Sequence, residues 1–129
     1  MTFHHVGIAV RSIEDSAKWY QAEGYTLSET ILDLIQNVSV AFLERADSPC
    51  LELVQPVDSA SPVNNILKKV GVSAYHFCYE VADIQQKIKE LEQQDFRLMV
   101  EPVPAIAFQN RRICFLYHID NGLIELLEK

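Results

Sequence analysis

Apolar residues along this chain fall into short blocks that switch between two periods. "HHVGIAV", residues 4–10, alternates and is rich in β-branched residues, which predicts a strand. In the following "SIEDSAKWYQAEGY", Ile13, Ala17 and Tyr20 recur at helical spacing and give one apolar face. Ser12 stands where an N-cap belongs, Asp15 falls in the first turn, and Gly24 supplies a stop. Three strand-like blocks come next: "TLSETILD", "NVSVAFLE" and "CLELVQ". The polar stretch "PVDSASPVNN", with its two prolines, reads as a linker into a short helix, "VNNILKKV". Then the order begins again. "AYHFCYEV" is a strand, and "DIQQKIKELEQQDF" is a helix with Asp83 at its cap and Ile84, Ile88 and Leu91 on one face. "RLMVE", "RRICFLY" and "LIELLE" are strands.

The second series repeats the first. An offset of 71 pairs His5 with His76, Val10 with Val81, Ile13 with Ile84 and Lys18 with Lys89. The offset then becomes 73 and pairs Phe42 with Phe115, Leu43 with Leu116 and Glu52 with Glu125. Two copies of strand-helix-strand-strand-strand predict an α+β fold, because one such copy covers only one face of its sheet with its helix. The expected organisation is a single domain over 1–129, with module one at 1–56, a linker with a short helix at 57–72, and module two at 73–129. The expected architecture is two tandem βαβββ modules forming a curved mixed sheet around a cleft.

The repeat preserves particular polar residues. Side chains two apart on a strand share a face. Glu52 shares its face with Cys50 and Val54, and Glu125 shares its face with Leu123 and Leu127. A carboxylate in such surroundings is costly unless it takes a proton, a cation or a metal. His5 shares its face with the small residues Gly7 and Ala9, and His76 with Cys78 and Glu80. Two imidazoles and two carboxylates at matched positions form a coherent ligand set for one divalent ion. Mixed nitrogen and oxygen donors suit Zn, Ni, Co, Mn or Fe better than Ca or Mg. His4 competes with His5, but its repeat partner is Tyr75, so the repeat favours His5.

Composition narrows the classes. The chain has 129 residues, 49% of them hydrophobic, enough for a core. The formal charge of −7, with no basic run, argues against nucleic acid as a partner. No apolar run has membrane-helix length and the start lacks a signal-peptide pattern, so the expectation is a cytoplasmic protein. Cys50, Cys78 and Cys114 form no CxxC pair and read as reduced, buried thiols. Arg111 and Arg112 are candidates for an anionic substrate tail, or else a solvated strand start. Tyr79, Phe115 and Tyr117 fit a pocket lining or core packing, and Trp19 is read as packing.

"HHVGIAVRSIEDSAKWY", "LELVQP", "YHFCYEVADI" and "GLIELLE" together resemble the vicinal oxygen chelate superfamily, which includes glyoxalase I-like and methylmalonyl-CoA epimerase-like members. The resemblance covers nearly the whole chain. It implies paired βαβββ modules and a metal held by His5, Glu52, His76 and Glu125. It also implies a lyase, isomerase or epimerase acting on a small carbonyl compound or acyl thioester. In that chemistry a metal stabilises an enediolate or enolate as a carbon-bound proton leaves, with Glu125 as first candidate for the base and Glu52 as second. "SPVNNILKK" followed by the second His strand is most similar to the epimerase-like branch. The chain departs from that branch at Val40, where some bacterial epimerases carry an acid/base glutamate, and at "AIAFQNRR", where a glycine-rich turn is typical. A small-molecule (antibiotic) binding protein and a non-haem iron dioxygenase are the alternatives on the same fold. The first typically lacks the full ligand set, and the second normally uses two histidines and one carboxylate. The resemblance further implies a homodimer.

Overall fold

The computed structural model describes residues 1–129. Its elements run β1 (Thr2–Ala9), α1 (Ile13–Ala22), β2 (Thr26–Leu27), β3 (Ile31–Asp33), β4 (Val38–Glu44), β5 (Leu51–Pro56) and α2 (Val63–Lys69). The series then repeats with β6 (Ser73–Val81), α3 (Ile84–Glu92), β7 (Arg97–Ala105), β8 (Arg111–His118) and β9 (Gly122–Glu128). A short 3-10 turn, Ile106–Phe108, separates β7 from β8. The class is α+β, built of two βαβββ modules. The chain divides into two compact units, one of His5–Tyr75 and one of Met1–His4 with His76–Lys129.

In the His5–Tyr75 unit the strand order is β2-β4-β5-β1, with β3 beside β4. Here β1 runs parallel to β5, pairing Gly7 with Glu52 and Ile8 with Leu53, while β4 and β5 are antiparallel. Helix α1 begins at Ser12, whose hydroxyl accepts the Asp15 amide at 3.1 Å. The Gln55 side chain accepts the Ile13 amide at 2.9 Å, which fixes the start of α1 to the end of β5. The helix buries Ile13 and Ala17 against Ile8, Val10, Ala41, Leu43 and Leu53. Gly24 closes it at φ 95, a conformation that side chains resist.

The other unit repeats this plan with the order β6-β9-β8-β7. β6 runs parallel to β9, pairing Cys78 with Glu125, and β8 is antiparallel to β9. Asp83 caps α3 by accepting the Gln86 amide at 3.0 Å. Ile84, Ile88 and Leu91 pack on Val81, Cys114, Leu116, Ile124 and Leu126.

Three expectations need correction. "TLSETILD" is two strands, not one, because four steps from Leu27 to Ile31 face three steps from Leu43 to Val40. The extra residue is a bulge. Its hydroxyl neighbour Ser28 accepts the Phe42 amide at 2.8 Å in place of a regular ladder bond. β7 extends beyond "RLMVE" through Pro102 and Pro104 to Ala105. An edge strand tolerates prolines, since its outward amides have no ladder partner, and two register shifts absorb the irregularity. Trp19 does not pack inward: it is 64% exposed and touches Tyr20 edge-on.

Candidate metal centre

Strand alternation sends neighbouring residues of β5 in opposite directions. Leu53 goes into the core beneath α1, and Glu52 goes to the face away from the helix. There Glu52 stands opposite Gly7 of β1 and Phe42 of β4. His5, two residues before Gly7, leaves the same face. Its Nε2 lies 3.4 Å from Glu52 Oε1, with His5 fully buried and Glu52 only 5% exposed. Phe42 meets the His5 ring edge-on, with centroids 6.2 Å apart and planes at 75°.

The same construction occurs in the other unit. Glu125 stands opposite Cys78 of β6 and Phe115 of β8, and His76 lies two residues before Cys78. Phe115 meets the His76 ring edge-on at 5.2 Å and 82°. His76 and Glu125 are each 3% exposed. Each unit thus carries a buried histidine, a buried glutamate at the same register, and a phenylalanine that packs the imidazole edge. The sequence marked the histidines and glutamates through the repeat. It also paired Phe42 with Phe115, but the role of these rings emerges only from the cross-strand register.

The donor chemistry fits a divalent ion. A buried imidazole and carboxylate with ligand atoms in near contact form a site that a cation would neutralise. The His4 ring packs edge-on against Phe108 at 5.4 Å.

Burial disfavours the thiolate at two of the three cysteines. Burial, reinforced by Glu44 and Glu52, pushes Cys50 up to about 11. Burial, with Glu125 adding to it, pushes Cys114 up to about 12. All three cysteines are free, and Cys50 is half-buried rather than fully buried as expected. Both candidate arginines are held by carboxylates. Arg111 Nη1 donates to Glu80 Oε2 at 2.7 Å. Arg112 grips Glu128 through Nε at 2.7 Å and Nη2 at 3.0 Å. The Arg111 hydrogen bond holds the Glu80 carboxyl below its ordinary value, and the Glu128 hydrogen bond raises Arg112. The Glu80–Arg111 pair was not foreseen. Its one advance signal was that Glu80 shares a strand face with His76.

Residues 4–115 match the family model of the Glyoxalase/Bleomycin resistance protein/Dioxygenase superfamily. The chain belongs to this superfamily. Among its relatives within it is a mitochondrial methylmalonyl-CoA epimerase of Dictyostelium discoideum, 30% identical over 98% of this chain and 77% of the relative. The crystal structure of methylmalonyl-CoA epimerase from Mycobacterium tuberculosis superposes with a TM-score of 0.84 at 29% identity, covering 98% of this chain and 87% of that one. A variant of the Streptomyces coelicolor epimerase, solved in complex with 2-nitronate-propionyl-CoA, gives 0.84 at 25% identity, covering 100% and 97%. The superfamily resemblance read from the His and Glu strands is therefore borne out. No helix is long and apolar enough to cross a membrane.

Proposed function

We propose that this chain is a metal-dependent epimerase of a 2-substituted acyl-CoA thioester of the methylmalonyl-CoA class. The observation that carries the reading is the His-Glu-Phe arrangement built twice at the same strand register. The similarity to methylmalonyl-CoA epimerases supports the substrate class.

In this reading His5, Glu52, His76 and Glu125 are the metal ligands. A bound divalent ion would supply positive charge for the thioester oxygen as C2 loses its proton. Glu125 is the base, since a carboxylate freed from water by its apolar strand neighbours is well suited to accept a carbon-bound proton. Glu52 is the second carboxylate able to carry a proton. Phe42 and Phe115 fix the two imidazole planes and keep water from them. The chain is further proposed to form a homodimer, which sedimentation at micromolar concentration tests.

The deciding assay is exchange of the C2 hydrogen of methylmalonyl-CoA in deuterated water. Wild type should exchange it. Glu125→Gln should lose about 10²–10⁴-fold in rate. Equal exchange by wild type and Glu125→Gln removes Glu125 as base. Exchange on hemithioacetals of methylglyoxal, and none on the thioester, replaces the epimerase with a glyoxalase-type lyase. Metal analysis of His5→Ala and His76→Ala, each expected to lose bound ion, checks the ligands independently.

A further inference from the structure

Arg111 and Arg112 are neighbours with opposite fates. In β8, Phe115 stands opposite Glu125, and Arg111 is four residues from Phe115, so its side chain leaves the face that carries Glu125. Arg112 leaves the other face and spends its planar fork on both oxygens of Glu128. Arg111 is anchored differently. Its Nε donates to the Phe108 carbonyl at 3.2 Å and its Nη1 to Glu80 Oε2 at 2.7 Å. A guanidinium has five donors in one rigid plane, and these two bonds leave the Nη2 edge unused.

The anchor also sets where that edge lies. Glu80 follows Cys78 by two residues on β6 and stands opposite Leu127, two residues beyond Glu125. That places Glu80 about 7 Å along the strands from Glu125. A base lies roughly 3–3.5 Å from the carbon it deprotonates, and a carboxylate lies about 2.8 Å from a guanidinium. Those two contacts, with the short acyl group of a malonyl-type thioester between them, are on the scale of that spacing. A role in stability alone is the competing account, and a partly exposed pair such as this one, with 31% and 24% of its side chains exposed, contributes little by that route.

We propose that Arg111 is the cation that takes the free carboxylate of the substrate, with Glu80 and the Phe108 carbonyl as the groups that fix its plane. The proposal rests on the acyl-CoA reading above and adds what selects a dicarboxylic acyl group over a neutral one.

The test is calorimetric binding of malonyl-CoA and propionyl-CoA, which differ by that carboxylate. Wild type should prefer malonyl-CoA. Arg111→Met should weaken malonyl-CoA about 10- to 100-fold and leave propionyl-CoA unchanged. Arg111→Lys should restore part of the preference, and it decides the matter if Arg111→Met does not fold. Equal weakening of both ligands, or of neither, overturns the role of Arg111. Equal wild-type affinity for the two does so as well, while leaving the acyl-CoA reading standing. Wild type that binds neither ester overturns that reading itself.

Discussion

Replacing His5 and Glu52 together by leucine should make the metal-free protein more stable and the metal-loaded protein less so. Glu52 is 5% exposed, lies between Leu51 and Leu53 in sequence, and has His5 Nε2 at 3.4 Å. Removing a charge from water costs several kcal/mol, and a neighbouring partner offsets only part of it. Replacing both members of such a buried pair with hydrophobes of similar volume is commonly neutral to stabilising by about 1–4 kcal/mol, whereas removing one alone strands the other. For 129 residues, 1 kcal/mol corresponds to about 4 °C in Tm, so the double variant His5→Leu, Glu52→Leu should raise the chelator-treated Tm by up to roughly 15 °C. Wild type gains on adding metal, by about 2.7 kcal/mol, or roughly 10 °C, at a hundredfold excess over Kd. The double variant should show little of that shift. Differential scanning calorimetry of both proteins, with chelator and with Zn or Co, reads all four values. A metal-free double variant that melts well below wild type would refute the reasoning, because the pair would then be a structural element rather than ligands kept at a cost in stability.

Asp83→Ala removes the side-chain acceptor for the Gln86 amide and should lower stability by about 1 kcal/mol, or roughly 4 °C by thermal denaturation, with metal binding unchanged. Glu80 should titrate below its ordinary 4.5 in a carboxyl-carbon NMR titration and return toward it in Arg111→Met, since the Arg111 hydrogen bond is the main cause of the lowering. Because the folded-state value is the lower one, the stability from this pair is present above pH 4.5 and disappears as pH falls through the lowered value. The Tm difference between wild type and Arg111→Met, small for a partly exposed pair, should therefore shrink further in acid.

The sequence disclosed what depends on local period and lost what depends on pairing order. Glu52 and Glu125 were legible because strand alternation assigns each a face, and the repeat placed each in the same context. The caps Ser12 and Asp83 were legible because their acceptor atoms serve amides three residues away. The bulge at Ser28 was not, since it requires knowing that Phe42 lies across from it. The Glu80–Arg111 pair lay further out of reach. β9 runs between β6 and β8, and no local pattern states that order. Trp19 shows the opposite error. It lies off the Ile13, Ala17, Tyr20 stripe of its helix, and that position leaves it exposed rather than packed.

The prolines of β7 bear on how the protein behaves in a crowded solution. An outermost strand offers its free amides and carbonyls to any extended chain that drifts past, and exposed apolar side chains strengthen the invitation. β7 exposes Met99 and Val100, so it carries that hazard. Pro102 and Pro104 have no amide hydrogen to give, and Glu101 just before them adds a charge. The run of donors that a second strand would need is broken just past the apolar pair, and the register shifts twist the remainder out of line. The strand can therefore be long enough to carry the chain back to Arg111 without becoming a template for fibrous association.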